Sequence, residues 1–311
     1  MKKGFVLIST LALIVILSLL ILLISRTLYT DSLKTNVFSN SVEKRIELIN
    51  IEKLLIDSLN KNSDRLRDIK IAEDEINFFI NSNDPDLKIE FLDLRTCFNI
   101  NSLVKPFRDL YVKNIANGDL FSNFLKFNEI DINKHRELID RLYDSLDSDS
   151  LPEPFGAEDL FYISNTDLSL NPDQLYVHKS QIKNLSFLSR NELKQIYQNI
   201  CAIPETDLTF NINGLSRDNY LVLLSLYPNL SYNDIEQLIL NKPLQGYKDY
   251  QNMIDLSGIN SDRINSELLI FKPEYVQIKY SFNIEQQIFS FYSVINLKTQ
   301  KNNVIYRSTS L

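Results

Sequence analysis

Four candidate ligands, the carboxylates of Asp147, Asp149, Glu158 and Asp159, fall within one short acidic stretch, Leu146-Asp-Ser-Asp-Ser-Leu-Pro-Glu-Pro-Phe-Gly-Ala-Glu-Asp-Leu-Phe-Tyr162. A hard cation such as Ca²⁺ takes about six to eight oxygens, and a loop broken by Pro and Gly can supply several carboxylates together with backbone carbonyls. The spacing is not that of an EF-hand, because no third ligand and glycine follow Asp-x-Asp at the required steps. On the residues alone, a solvated acidic loop or a set of helix N-caps accounts for the same pattern. Signals for catalysis are thin. His135 and His178 are the only histidines, so a His-rich zinc site is out of reach and a triad would need one of them beside a placed nucleophile. There is no Gly-x-Ser-x-Gly, and the glycines at 4, 118, 156, 214, 246 and 258 are too scattered to cradle a phosphate. Both histidines are expected to be surface or hydrogen-bonded structural residues, and no enzymatic activity is expected.

Cys97 and Cys201 are the only cysteines and lie 104 positions apart. In an oxidising compartment a bond between them would contribute about 4–5 kcal/mol on the chain-entropy model. Two separate buried thiols are the other reading. The formal net charge of −7 and the pI near 5.1 work against a nucleic-acid role, which needs clustered Lys and Arg. The short helices expected around Asn211 to Ile254 are therefore not read as a DNA-binding hairpin.

The elements that must position these groups begin with the leader Met1-Lys2-Lys3-Gly4 and an uncharged run from Phe5 to Ser25. At ~1.5 Å of rise per residue that run spans ~30 Å of hydrocarbon as a helix. It exceeds the ~7–15-residue apolar core of a secretory signal, and no Ala-x-Ala-like site follows. Lys2 and Lys3 favour a cytoplasmic N-terminus, with the bulk of the chain outside the cytoplasm. Leu48, Ile51, Leu55 and Leu59 continue a helical stripe, so one helix is predicted from about Phe5 to Asn60. Ile76-Asn-Phe-Phe-Ile80 and Leu87-Lys-Ile-Glu-Phe-Leu92 read as strands around the turn-rich Asn81–Asp86. Alternation of Val276, Ile278, Tyr280, Phe282 and Ile284 with polar residues predicts a strand, followed past Glu285-Gln-Gln by Ile288–Leu297 and, after a turn at Thr299–Asn303, by Val304–Arg307. From about Val104 to Ser266 the pattern is of short helices, clearest at Leu221–Leu226 and Tyr232–Leu240. The predicted class is α+β: a long N-terminal helix packed on an antiparallel sheet, with a large all-helical domain inserted. A length beyond ~250 residues favours more than one core.

The Lys-Gly-Phe junction resembles the processing site of type IV pilin-like proteins. Most of these carry Glu at the fifth mature position, where this chain has Ser9; that departure is characteristic of the minor pseudopilin K of type II secretion systems. Asp93-Leu-Arg-Thr-Cys97-Phe-Asn-Ile-Asn-Ser-Leu103, Cys201-Ala-Ile-Pro-Glu205, Phe210-Asn-Ile-Asn-Gly-Leu215 and the acidic loop resemble segments of that family, in its order and over nearly the whole chain. Ser145 stands where the family usually has Trp, and Gly214 where it usually has Thr. The resemblance implies cleavage after Gly4 by a prepilin peptidase and methylation of Phe5. It implies a leader at 1–4, a membrane and assembly segment at 5–26, a pilin-like domain from 27–103 and 267–311, and an insertion at 104–266 made of two SAM-like helical subdomains. It implies that a Cys97–Cys201 disulfide pins the insertion to its host, and that Asp147, Asp149, Glu158 and Asp159 contribute to one or two Ca²⁺ sites. The expected partners are minor pseudopilins of the I and J types, the major pseudopilin and the peptidase, in a single-pass protein of the bacterial inner membrane whose globular part is periplasmic. The expected role is initiation and capping of the pseudopilus tip. A membrane-anchored periplasmic binding protein or enzyme that is pilin-like only at its N-terminus is the alternative.

Overall fold

In a computed structural model the N-terminal stripe closes onto one helix, α1, Lys2–Asn62. The structure describes residues 2–62, 67–81, 87–164, 171–185, 188–284, 287–298 and 304–310. Gly4, Phe5 and Ser9 lie on α1, but their side chains are outside what is described, as are the turns expected at 82–86, 285–286 and 299–303. The first half of α1 holds an apolar window long enough to cross a membrane, and its side chains are exposed from Leu13 to Leu28. In the second half Leu48, Leu55 and Leu59 turn inward.

They pack on a four-stranded antiparallel sheet of β1 (Lys88–Asp93), β8 (Tyr275–Ile284), β9 (Gln287–Asn296) and β10 (Val304–Ser310), in the order β1-β8-β9-β10. The residues facing α1, among them Ile89, Phe91, Ile278, Tyr280 and Phe291, complete this core. The strand expected at Ile76–Ile80 is instead part of a helix, α2 (Ile69–Asn81). Ile69, Ala72 and Ile76 recur at helical steps and pack on the same core, while Phe78 points to solvent; a short apolar run does not by itself distinguish the two periods.

The insertion leaves the sheet after β1 and returns into β8, where Asp93 faces Val276. Between them come β2 (Phe98–Asn99), a hairpin of β3 (Val104–Phe107) and β4 (Leu110–Lys113), helices α3 (Ile115–Phe127), α4 (Ile132–Leu146), α5 (Asp159–Ser164) and α6 (Arg190–Tyr197), β5 (Ile200–Cys201), β6 (Phe210–Asn211), α7 (Tyr220–Leu226), α8 (Tyr232–Leu240), α9 (Tyr250–Ser257) and β7 (Leu269–Ile270). Helices dominate, as expected; the hairpin and the two-residue strands are additions to that expectation. A second hydrophobic core fills this part, around Phe98, Phe121 and Phe124, whose rings lie 5.1–5.7 Å apart.

The insertion contains one motif twice. Phe98-Asn-Ile-Asn101 and Phe210-Asn-Ile-Asn213 each form a two-residue strand running into a 3₁₀ turn, capped by the first Asn accepting from the backbone N–H of the second. Each strand pairs in parallel with a later one, β2 with β5 and β6 with β7. The Asn101 amide accepts from Tyr176 N–H and donates to the carbonyls of Tyr176 and Ile203. The Asn213 amide does the same for Tyr247 N–H and the carbonyls of Tyr247 and Phe271. A helical hairpin follows each copy, α3–α4 and then α7–α8.

Candidate metal centre

The acidic loop begins where α4 stops. Asp147 adopts extended backbone while its N–H still donates to Tyr143 carbonyl, and Pro152 and Pro154 prevent the helix from resuming. Two buried carboxylates on the last turns of α4, Asp140 and Asp144, lie four residues apart and therefore on one face. Asp144 accepts from Glu153 N–H at 3.0 Å and Asp140 from Phe155 N–H at 3.2 Å. Gly156 is required by this arrangement, because a Cβ there would collide with the Asp144 carboxylate. Lys113 of β4 pairs with Glu153, and Tyr111 N–H donates to Ser148 Oγ, so the hairpin braces the loop from outside.

Folded this way, the loop brings three of the four expected carboxylates together. Asp147, Asp149 and Glu158 each present an oxygen, all within 4.8 Å of one another. Asp159 stands apart from this group; its Oδ1 accepts from Asn171 N–H at 2.8 Å. Asn171 also donates to Glu158 Oε2 at 2.9 Å and to Ala157 carbonyl at 2.8 Å, clamping the far side of the loop. Asp147 Oδ1 and Glu158 Oε1 are buried without a hydrogen-bond partner among the described residues. Burial, then repulsion from Asp149 and Asp144, pushes Asp147 up to about 7, with Lys113 opposing. Glu158 is likewise pushed up to about 7 by burial, against its bond from Asn171. Three converging carboxylates with two orphaned oxygens form an all-oxygen donor set, which fits a hard divalent cation and not a thiophilic metal.

The histidines are engaged elsewhere. His135 is buried, with Nε2 3.0 Å from Ile130 carbonyl and Nδ1 3.3 Å from Ser122 Oγ. His178 Nδ1 lies 2.8 Å from Ser180 Oγ, and its ring stacks on Tyr306. A groove of about 1300 Å³ opens between β1, α6, α7 and α8. Its buried acid, Asp93, is pushed up to about 6 by burial, and it is held by Asn211 Nδ2 at 2.6 Å and Arg95 N–H at 2.8 Å. Its Asp68 pairs with Lys242 at 2.9 Å. Neither histidine is among its lining residues.

The two cysteines are bonded, with Cα atoms 5.7 Å apart. They sit in a small cluster with Leu94, Ile203, Tyr275 and Val294, between the insertion and the sheet face opposite α1. Beside them the buried Arg95 pairs with Glu205 and Glu274 and lies over the Tyr275 ring. Arg95 and its two glutamates tie the entry, middle and exit of the insertion to one another, and unlike the expected disulfide these ion pairs were not read from the sequence.

Residues 96–205 match the family model described as type II secretion system protein K. A putative type II secretion system protein K of Escherichia coli (strain K12) is 22% identical over 320 residues, covering 99% of this chain and 98% of that protein. The type II secretion system protein K of Aeromonas hydrophila is 28% identical over 174 residues, 52% of this chain and 51% of that one. Among solved structures, a chain of the GspK-GspI-GspJ complex from the type 2 secretion system of enterotoxigenic E. coli superposes with a TM-score of 0.69 at 13% identity, covering 89% of this chain and 99% of that chain. The family read from the leader, the cysteine segments and the acidic loop is the one these comparisons return: the chain is similar to type II secretion system protein K.

Proposed function

We propose that this protein is the minor pseudopilin at the tip of a type II secretion pseudopilus, where it starts and caps assembly together with minor pseudopilins of the I and J types. The reading is carried by the likeness to protein K along 99% of the chain, from leader to last strand. In this reading the prepilin peptidase cuts after Gly4, Phe5 is methylated, α1 anchors the chain in the inner membrane and packs on the major pseudopilin below, and the head is periplasmic. Ser9 offers no charge to the terminal amine of a subunit placed before it, which suits a first-placed subunit. The division into a pilin-like host and an insertion of two helical subdomains at 104–266 belongs to the same proposal, supported by the two hydrophobic cores and the twice-used Asn motif. Asp147, Asp149 and Glu158 would hold Ca²⁺, with Asp159 fixing the loop beside them. Bound calcium would neutralise the carboxylates and tie the end of α4 to the start of α5.

N-terminal analysis of the native protein is expected to give methylated Phe5, and site-specific crosslinking to place the chain at one end of the filament. Retention of Met1, or crosslinks distributed along the shaft, would overturn the assignment. Ser9→Glu is expected to reduce assembly or displace the subunit along the fibre.

A further inference from the structure

The two edges of the sheet are treated differently. The β1 edge is closed by α2: Asn77 donates to Ile89 carbonyl at 2.7 Å and accepts from Ile89 N–H at 3.2 Å, and Glu73 accepts from Phe91 N–H at 2.8 Å. At the other edge, the outward backbone groups of β10 meet no partner among the described residues. The strand Val304-Ile-Tyr-Arg-Ser-Thr-Ser310 contains no Pro or Lys to discourage pairing. Arg307 faces α1, where it pairs with Glu52; Tyr306 faces the opposite side, against His178 at 5.7 Å between ring centres.

A concentration of positive charge lies on that opposite side, in an acidic protein. Lys179 and Lys183 both place their ammonium groups over the ring of Tyr197, at 4.6 and 4.8 Å from its centre. Lys179 Nζ donates to Tyr197 carbonyl at 2.8 Å, which leaves two of its three N–H groups. Neither lysine pairs with a carboxylate among the described residues, although the chain has 40 acidic side chains. Burial and the neighbouring Lys183 push Lys179 down to about 8, and burial followed by the two lysines lowers His178. An anion placed here would relieve both. Val177, 57% exposed, borders the patch.

We propose that the outer edge of β10 and the Lys179–Lys183 patch together bind an acidic, extended peptide segment of a neighbouring subunit. The backbone of that segment would add to β10 as a fifth strand. Side chains of a strand alternate between faces, so every second carboxylate would point to the side of Tyr306 and the lysines. Main-chain pairing supplies affinity in such strand addition, and the side-chain pocket supplies selectivity. A free edge beside aromatic and aliphatic groups fits a peptide; phosphate alone would use only the lysines. The identity of the segment's owner as a neighbouring subunit rests on the assembly reading, whereas the binding chemistry does not.

The test uses the full chain in detergent, titrated by fluorescence anisotropy with labelled (Glu-Thr)₄, (Gln-Thr)₄ and (Lys-Thr)₄, with amide hydrogen exchange followed in 304–310. The acidic peptide alone is expected to bind and to slow exchange in β10. K179Q/K183Q should weaken binding at least tenfold while K179R/K183R retains it; the single K183Q, at an exposed position, gives a several-fold loss if the double variant does not fold. Equal binding of (Gln-Thr)₄, unchanged exchange in β10 on binding of (Glu-Thr)₄, or undiminished affinity in K183Q would overturn the proposal. So would protection of β10 by bicelles containing anionic phosphatidylglycerol but not by the peptide, which assigns the lysines to lipid. Failure here with tip crosslinks intact removes only this surface; loss of N-terminal processing with peptide binding intact removes only the assembly reading.

Discussion

Asp147 and Glu158 each keep an oxygen buried and without a partner among the described residues, so the metal-free loop holds protons that the unfolded chain would release. Both carboxyls titrate near 7 in the folded protein and near the ordinary carboxylate range when unfolded. The folded state then binds more protons between about pH 4 and 7, and stability falls as pH rises through that window. The melting temperature of the calcium-free protein is expected to drop from pH 5 to pH 7 and to level off above. Calcium should restore it and release protons as it binds, which calorimetry at pH 6 in two buffers of different ionisation enthalpy would count. Asp147→Asn should lower calcium affinity at least tenfold and flatten the pH dependence. The grouping of the three converging carboxylates was legible from their place on one Pro- and Gly-broken loop, although the same pattern also suits a solvated acidic loop, and the family likeness decided between them. Asn171 was not: a clamp that reaches back from beyond the loop has no local signature, and an isolated Asn reads only as a turn former. The orientation of Asp159 was not legible either, since adjacency to Glu158 does not tell whether its carboxylate turns toward the same point or toward a backbone N–H.

At the scale of elements, Asn101 and Asn213 are the pivots of the helical part, each making three hydrogen bonds to buried backbone groups. Asn213→Ala would leave Tyr247 N–H and two carbonyls buried without partners. At ~1–3 kcal/mol per orphaned group, it should cost about 3 kcal/mol or more in urea unfolding, and Asn101→Ala less, because the Ile203 carbonyl still accepts from Glu205 N–H. Replacing the half-buried Asn252, whose side chain accepts from the solvent-side Lys248 N–H, a bond that can pass to water, should cost far less. The long helix, the C-terminal meander and the helix-rich middle were readable because each repeats its period over many residues. The fate of Ile76–Ile80 was not, because five residues do not separate a period of 2 from one of 3.6. The two Phe-Asn-Ile-Asn segments were each noted for their family likeness, yet their equivalence went unread. It shows in the matched hydrogen bonds to Tyr176 and Tyr247, which lie at unequal distances along the chain.

Across the whole molecule, two separate ties hold the insertion and the long helix to the sheet. The disulfide, with Arg95 and its two glutamates, anchors the insertion on one face of the sheet. On the other face the fully buried Glu52 of α1 meets Arg307 of β10, at 2.6 Å. Arg307→Ala would strand the carboxylate among apolar side chains and should cost about 3–5 kcal/mol, whereas Glu52→Leu with Arg307→Met should come close to wild type; chemical denaturation of both variants checks this. The duplicated Asn motif also supplies an internal control for the acidic loop. The second copy goes from the end of α8 to its Tyr247 through Asn241-Lys-Pro-Leu-Gln-Gly246, while the first takes residues 147–175 to make the same journey from α4 to Tyr176. A chimera that splices the short route into the first copy should still melt cooperatively, with no response to calcium or chelator. The ornament would then stand revealed as grafted onto a finished scaffold, and whatever assembly defect the chimera showed would belong to that ornament and not to the scaffold.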